Sequence, residues 1–182
     1  MKDKSARECA ALENGGAMNC AFTGHRTVKP EHRAQLCDRL ARAVEYVYSL
    51  GVRDFYTGGA VGFDTLAARE VLRFRITHPD VSLRLVLPCL NQDERWSDAQ
   101  RERYSYVLQN AESVEYVAEE YTRGCMKERN RRLAELCDVM IAYVYRDGSG
   151  SSQTVRMARE LGRQVYNISP TVEVARSESV EI

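Results

Sequence analysis

Gly58, Gly59, Gly62 and Asp64 fall within seven residues, after a strand-like run at 54–57 and at the start of a helix-like run. Bare backbone N–H groups at a helix N-terminus meet the positive end of the helix dipole, so such a turn suits a phosphate or another anion. A phosphate cradle does not need a carboxylate. Asp64 would bond a sugar hydroxyl or do acid–base work beside the phosphate, which makes it the candidate catalytic residue. The spacing matches neither G-x-G-x-x-G nor the P-loop G-x-x-x-x-G-K-[ST]. The plainer alternative is a tight turn with close packing, in which Asp64 caps the helix.

Three further segments carry similar chemistry. Thr23, Gly24, His25 and Arg26 set a hydroxyl, a bare turn, an imidazole and a guanidinium side by side. Arg26 can grip a phosphate through two parallel bonds. Gly148, Gly150, Ser151 and Ser152, with Thr154 just after them, precede another helix. They would bind an anion or serve as N-caps. Arg129 and Asn130 lie in the most basic stretch, with Arg123, Lys127, Arg131 and Arg132. That stretch is either an anion-facing edge or a solvated helix face. Trp96 would be core, or would stack on a base from a loop at the ligand edge. There is no G-x-S-x-G elbow and no evident acid–histidine pair, so a serine nucleophile is not expected.

The elements that must position these loops alternate. Strands are expected at 19–23, 54–57, 81–87, 114–117, 139–145 and 164–168. Helices are expected at 30–50, 64–75, 92–110, 126–137 and 151–161. Leu36, Leu40, Val44 and Val47 recur with helical spacing. Pro30 suits the first turn of that helix, and Gly51 ends it. The apolar run 139–145 suits a central strand covered on both faces. Alternation of this kind implies an α/β chain: a three-layer, Rossmann-like single domain with a doubly wound, mainly parallel sheet. Ligands of such sheets sit at the carboxyl ends of the strands, where strand order reverses. All of the glycine-bearing loops named above leave strand ends. The domain is expected over 18–169, after a disordered leader at 1–17 (Met18 being a candidate start) and before a tail at 170–182.

Lys plus Arg and Asp plus Glu both number 26, and this balance disfavours bulk, sequence-blind nucleic-acid binding. The six cysteines form no C-x-x-C pair and no histidine falls close to two of them, so no metal site is expected. They read as reduced thiols of a cytoplasmic protein. No apolar run approaches the roughly 20 residues of a membrane span.

As a set, 22–26 (Phe-Thr-Gly-His-Arg), 58–64 with Ala67 and Ala68, Pro88-Cys89 with Arg95-Trp96, 124–126 (Gly-Cys-Met), Arg129-Asn130 and Asp138 resemble the YpsA-like family of the SLOG superfamily. The resemblance spans roughly 18–168. The superfamily also includes the LOG phosphoribohydrolases and the DNA-processing protein DprA. The resemblance implies a nucleotide or nucleotide-derived ligand, held by Thr23 to Arg26, Gly58 to Asp64, Arg129-Asn130 and Gly148 to Thr154. No cofactor is required, and a homo-oligomer is compatible with it. The role implied is sensing or regulation, or N-glycosidic hydrolysis with Asp64 as the acting carboxylate. LOG enzymes carry Pro-Gly-Gly-x-Gly-Thr followed by a glutamate, whereas this chain has Phe63-Asp64 after its third glycine. Arg129-Asn130-Arg131 keeps the order seen in DprA, which makes single-stranded nucleic acid the rival partner. A protein-interaction scaffold with a vestigial pocket is the third alternative.

Overall fold

The computed structural model describes residues 18–171. The expected leader and residues 172–182 of the expected tail lie outside the described residues. The elements run β1 (Met18–Gly24), α1 (Arg33–Ser49), β2 (Val52–Thr57), α2 (Phe63–Arg75), β3 (Ser82–Leu87), α3 (Asp98–Asn110), β4 (Ser113–Tyr116), α4 (Cys125–Leu136), β5 (Val139–Tyr143), α5 (Gly150–Glu160) and β6 (Gln164–Asn167). The six strands form one sheet in the order β4-β3-β2-β1-β5-β6, and every pair is parallel.

Alternation along the central strands sorts the core into two layers. Cys20 and Phe22 of β1, with Val139, Ile141 and Tyr143 of β5, face α1, α2 and α3. Ala21, Met140 and Ala142 face the other way, onto Leu133 and Ala134 of α4 and Val155 and Ala158 of α5. Period two in the strands thus gives each face its own apolar set, and helices cover both faces.

Most boundaries shift by one or two residues, and two of the differences have clear local reasons. The helix expected from residue 92 begins at Asp98. Ser97 and Gln100 form a reciprocal capping box, while 91–96 is spent on turns such as Trp96 N–H to the Asp93 carbonyl, 2.9 Å. The central strand stops at Tyr143 rather than Tyr145. The amides of Val144 and Tyr145 leave the ladder and donate to Asn167 Oδ1 (3.1 Å) and His25 Nε2 (3.2 Å). In addition, the expected helix at 30–50 opens with one 3-10 turn, Pro30–His32.

Chain order reverses between β1 and β5. From β1 the chain builds outward through β2, β3 and β4, then returns to lay β5 on the other side of β1. The loops leaving β1 and β5 therefore diverge and leave a crevice at their carboxyl ends.

Candidate functional site

A cleft of about 290 Å³ occupies that crevice. Its walls come from the β1 loop, the turn before α2, the first turns of α4, and the segment from β5 into α5. Of the expected site residues, Thr23, Gly24, His25, Arg26, Asp64, Arg129, Asn130, Gly150 and Ser151 line it. Its charged lining is Arg26, Arg129, Arg146 and Asp64, three guanidiniums against one carboxylate.

Arg129 and Asp64 meet on the cleft floor. Both are buried, and Arg129 Nη1 donates to Asp64 Oδ2 at 3.5 Å. Asp64 Oδ2 also accepts from the Ala60 amide, 3.3 Å. Burial pushes the Asp64 carboxyl above the ordinary carboxylate range, against the pull of Arg129, the Ala60 amide and Arg26. Burial likewise pushes the Arg129 guanidinium down, with Asp64 opposing it. Arg129 Nε is buried with no hydrogen-bond partner. A guanidinium has five N–H donors, so one long contact leaves most of its capacity unused.

Gly58 is glycine because of this pair. A Cβ there would overlap the Arg129 guanidinium and lie 2.9 Å from Asp64 Oδ2. Gly62 is required by the neighbouring loop. Its φ is +86°, and a Cβ would collide with the Arg26 carbonyl. Beside it, the Phe63 amide donates to the His25 carbonyl, 3.2 Å. The glycine turn and the β1 loop thus interlock, backbone against backbone.

His25 is buried between β5 and α5. The Tyr145 amide donates to its Nε2, so Nε2 is the bare nitrogen and the proton sits on Nδ1. Nδ1 faces Ser151 Oγ at 3.2 Å. This serine–histidine contact, across 126 positions, had no signal in the sequence. The tautomer makes His25 a donor to Ser151, the reverse of what a general base for a serine nucleophile requires.

Burial, then the charges of Arg146 and Lys29, push the His25 imidazole down to about 4 from 6.5. Below pH 6.5 the unfolded chain takes up this proton and the folded chain does not, so stability falls as pH drops from 6.5 toward 4. Across that window we expect His25 to cost about 2 kcal/mol, since solvent in the cleft screens part of the shift. Urea midpoints at pH 7.5 and 4.5 check this. The His25→Asn variant should lose less between the two than the parent chain does, and equal losses would refute it.

Other expected residues lie elsewhere. Trp96 is half-buried and packs edge-on against Tyr104, ring centroids 5.2 Å apart, outside the cleft lining. A Cβ on Gly59 would meet Leu87 at 2.7 Å and Tyr104 at 3.3 Å, and Gly59 does not line the cleft. Gly58, Gly62 and Gly148 shape turns without lining the cleft. Ser152 completes a capping box with Ser149, and Thr154 Oγ1 donates to the Gly150 carbonyl within α5. Ser149, inside the expected Gly148 to Thr154 segment, also lines the cleft, whereas Tyr145 and Arg146 line it and were not expected to. Their signal was position, directly after the central strand at the switch point.

The basic stretch is divided. Arg129 turns inward and Arg132 Nε pairs with Glu115 at 2.8 Å, while Arg123, Lys127 and Arg131 are exposed. Among the described residues, no group of three or more His, Cys, Asp or Glu could hold a metal ion, and no helix is long and apolar enough to cross a membrane.

Comparison with known proteins agrees with this architecture. The chain is 28% identical over 103 residues to UPF0398 protein BH1768 of Halalkalibacterium halodurans, covering 56% of this chain and 54% of that protein. It therefore spans about half the length of that relative. It is 25% identical over 156 residues to a UPF0398 protein of Bacillus thuringiensis, covering 81% and 85% of the two chains. In fold it is similar to DNA processing protein A of Helicobacter pylori, whose structure is described for its single-stranded DNA binding mode. There the TM-score is 0.61 at 22% identity, over 87% of this chain and 67% of that one. The sequence model of the YspA SLOG family (YpsA) matches residues 24–169. The strand order, the crevice between β1 and β5 and this match lead to one conclusion: the chain belongs to the YspA SLOG family.

Proposed function

We propose that the cleft binds a phosphate-bearing, nucleotide-derived small molecule. The observation that carries this is Arg129, a buried guanidinium on the cleft floor whose Nε has no partner. A buried charge costs several kcal/mol unless it is paired and hydrogen-bonded, and Asp64 offers it a single long contact. An anion in the cleft would add acceptors for this guanidinium, with Arg26 and Arg146 at hand. A cavity of about 290 Å³ suits a mononucleotide-sized group.

Asp64 separates recognition from catalysis. Its raised proton affinity suits an acid–base role in N-glycosidic hydrolysis. Its contacts with Arg129 and the Ala60 amide suit an equally plain role in fixing Arg129. The sensing reading needs only the second.

Single-stranded nucleic acid is the second reading, favoured by the fold likeness to the Helicobacter pylori protein and by exposed Arg123, Lys127 and Arg131. A titration separates the two. AMP should bind with a modest salt dependence, and adenosine about 10-fold or more weaker, because it lacks the charged acceptor. A single-strand binder would instead favour an oligo-dT, with a steep log–log salt slope. Oligo-dT binding of that kind, without AMP binding, would overturn the small-molecule reading.

A further inference from the structure

The hydroxyls of Ser149 and Ser151 lie 3.0 Å apart at the first turn of α5, and both residues line the cleft. Ser149 Oγ already accepts from the Ser152 amide, 3.0 Å. Ser151 Oγ accepts from His25 Nδ1–H, since the Tyr145 amide occupies Nε2. The two hydroxyls carry two protons, and the contact between them uses one. One hydroxyl proton is left over. Were the ring reversed, with Nδ1 bare, Ser151 would donate to His25 and Ser149 to Ser151, and none would remain. Ring polarity therefore decides whether this wall of the cleft presents a donor. In the same cleft the buried Arg129 guanidinium, with one long contact to Asp64 and an unpartnered Nε, is also short of acceptors.

We infer that His25 is a positioning residue. Its ring turns one hydroxyl proton of the Ser149–Ser151 pair into the cleft, so the group received there is a deprotonated oxyanion, such as the dianion of a phosphate monoester. This rests on the small-molecule reading above and adds to it the residue that sets the polarity of the site. His25 touches no ligand and acts through the serines. Fixing the donor before the ligand arrives spares the reorientation that a free hydroxyl would need.

Two measurements test this. Nitrogen-15 NMR of the histidine rings in the full chain should find His25 protonated at Nδ1 and bare at Nε2. The opposite tautomer overturns the inference. AMP titrations should find His25→Leu about 10-fold or more weaker than the parent chain, the size of one lost hydrogen bond to a charged acceptor. In a Ser149→Ala/Ser151→Ala background the same substitution should change affinity less than about 2-fold, because its route to the ligand is gone. Equal losses in both backgrounds would make His25 a general structural residue and overturn the inference alone. Failure of the parent chain to bind AMP would count against the small-molecule reading and take the inference with it. The NMR result stands whether or not the His25→Leu variant folds.

Discussion

Replacing Arg129 by methionine is expected to lower stability at pH 7 by about 3 kcal/mol and AMP affinity by about 100-fold. Methionine keeps much of the volume, so the loss is electrostatic. Asp64 stays buried with only the Ala60 amide and without its cation. The pH dependence follows from the sign of its shift. The Asp64 carboxyl is raised in the folded chain, so its contribution is fully present below 3.8 and is lost as pH rises through the folded value. Without Arg129 that value climbs further. The deficit of the variant should therefore grow from acid to neutral pH and nearly vanish near pH 4. Adding Asp64→Asn should recover part of the stability at pH 7 and none of the AMP affinity. Denaturant titrations at the two pH values check this. A variant as stable as the parent at pH 7 would mean that the buried pair is not an interacting pair.

Gly62→Ala should lower stability by about 4 kcal/mol, from backbone strain and from overlap with the Arg26 carbonyl. Backbone cannot swing aside as a side-chain tip can, so the β1 loop must shift with it. Gly148→Ala is the control. Gly148 also has positive φ (+74°), but a Cβ there meets nothing within 4 Å. It should cost only about 1 kcal/mol, the strain by itself. The difference isolates the interlock between the glycine turn and the β1 loop. Equal losses at the two positions would show that strain, and not close approach, makes Gly62 glycine. A total near 4 kcal/mol is a large part of the stability of an ordinary domain.

These two residues show what a sequence can and cannot reveal. Alternating elements were legible because periodicity is local. Leu36, Leu40, Val44 and Val47 announce one helix face, and all four are buried. The edge of the sheet that carries the loops was legible for the same reason, since the order of elements implies it. The glycines were legible as special, but not for what reason. Gly58 is dictated by Arg129, which arrives from α4, and Gly62 by the carbonyl of Arg26. Asp64 and Arg129 are 65 positions apart and His25 and Ser151 are 126 apart, so no local pattern joins them. Trp96 gives the converse case. The sequence left core packing and a stacking platform both open, and packing against Tyr104 agrees with the first. Tyr145 and Arg146 were overlooked because an apolar run was read as strand to its end, whereas the amides of Val144 and Tyr145 leave the ladder.

We propose that the cleft between β1 and β5 holds a phosphorylated small molecule against Arg129. The most direct test is mass spectrometry of small molecules released from the purified chain, compared with Arg26→Ala/Arg146→Ala. Both substituted residues are exposed, so the fold should survive. We expect a phosphate-bearing, nucleotide-derived compound in the parent sample, near-stoichiometric and strongly depleted in the variant. A parent chain that releases none, and that binds neither AMP nor ADP-ribose when they are supplied, would contradict it.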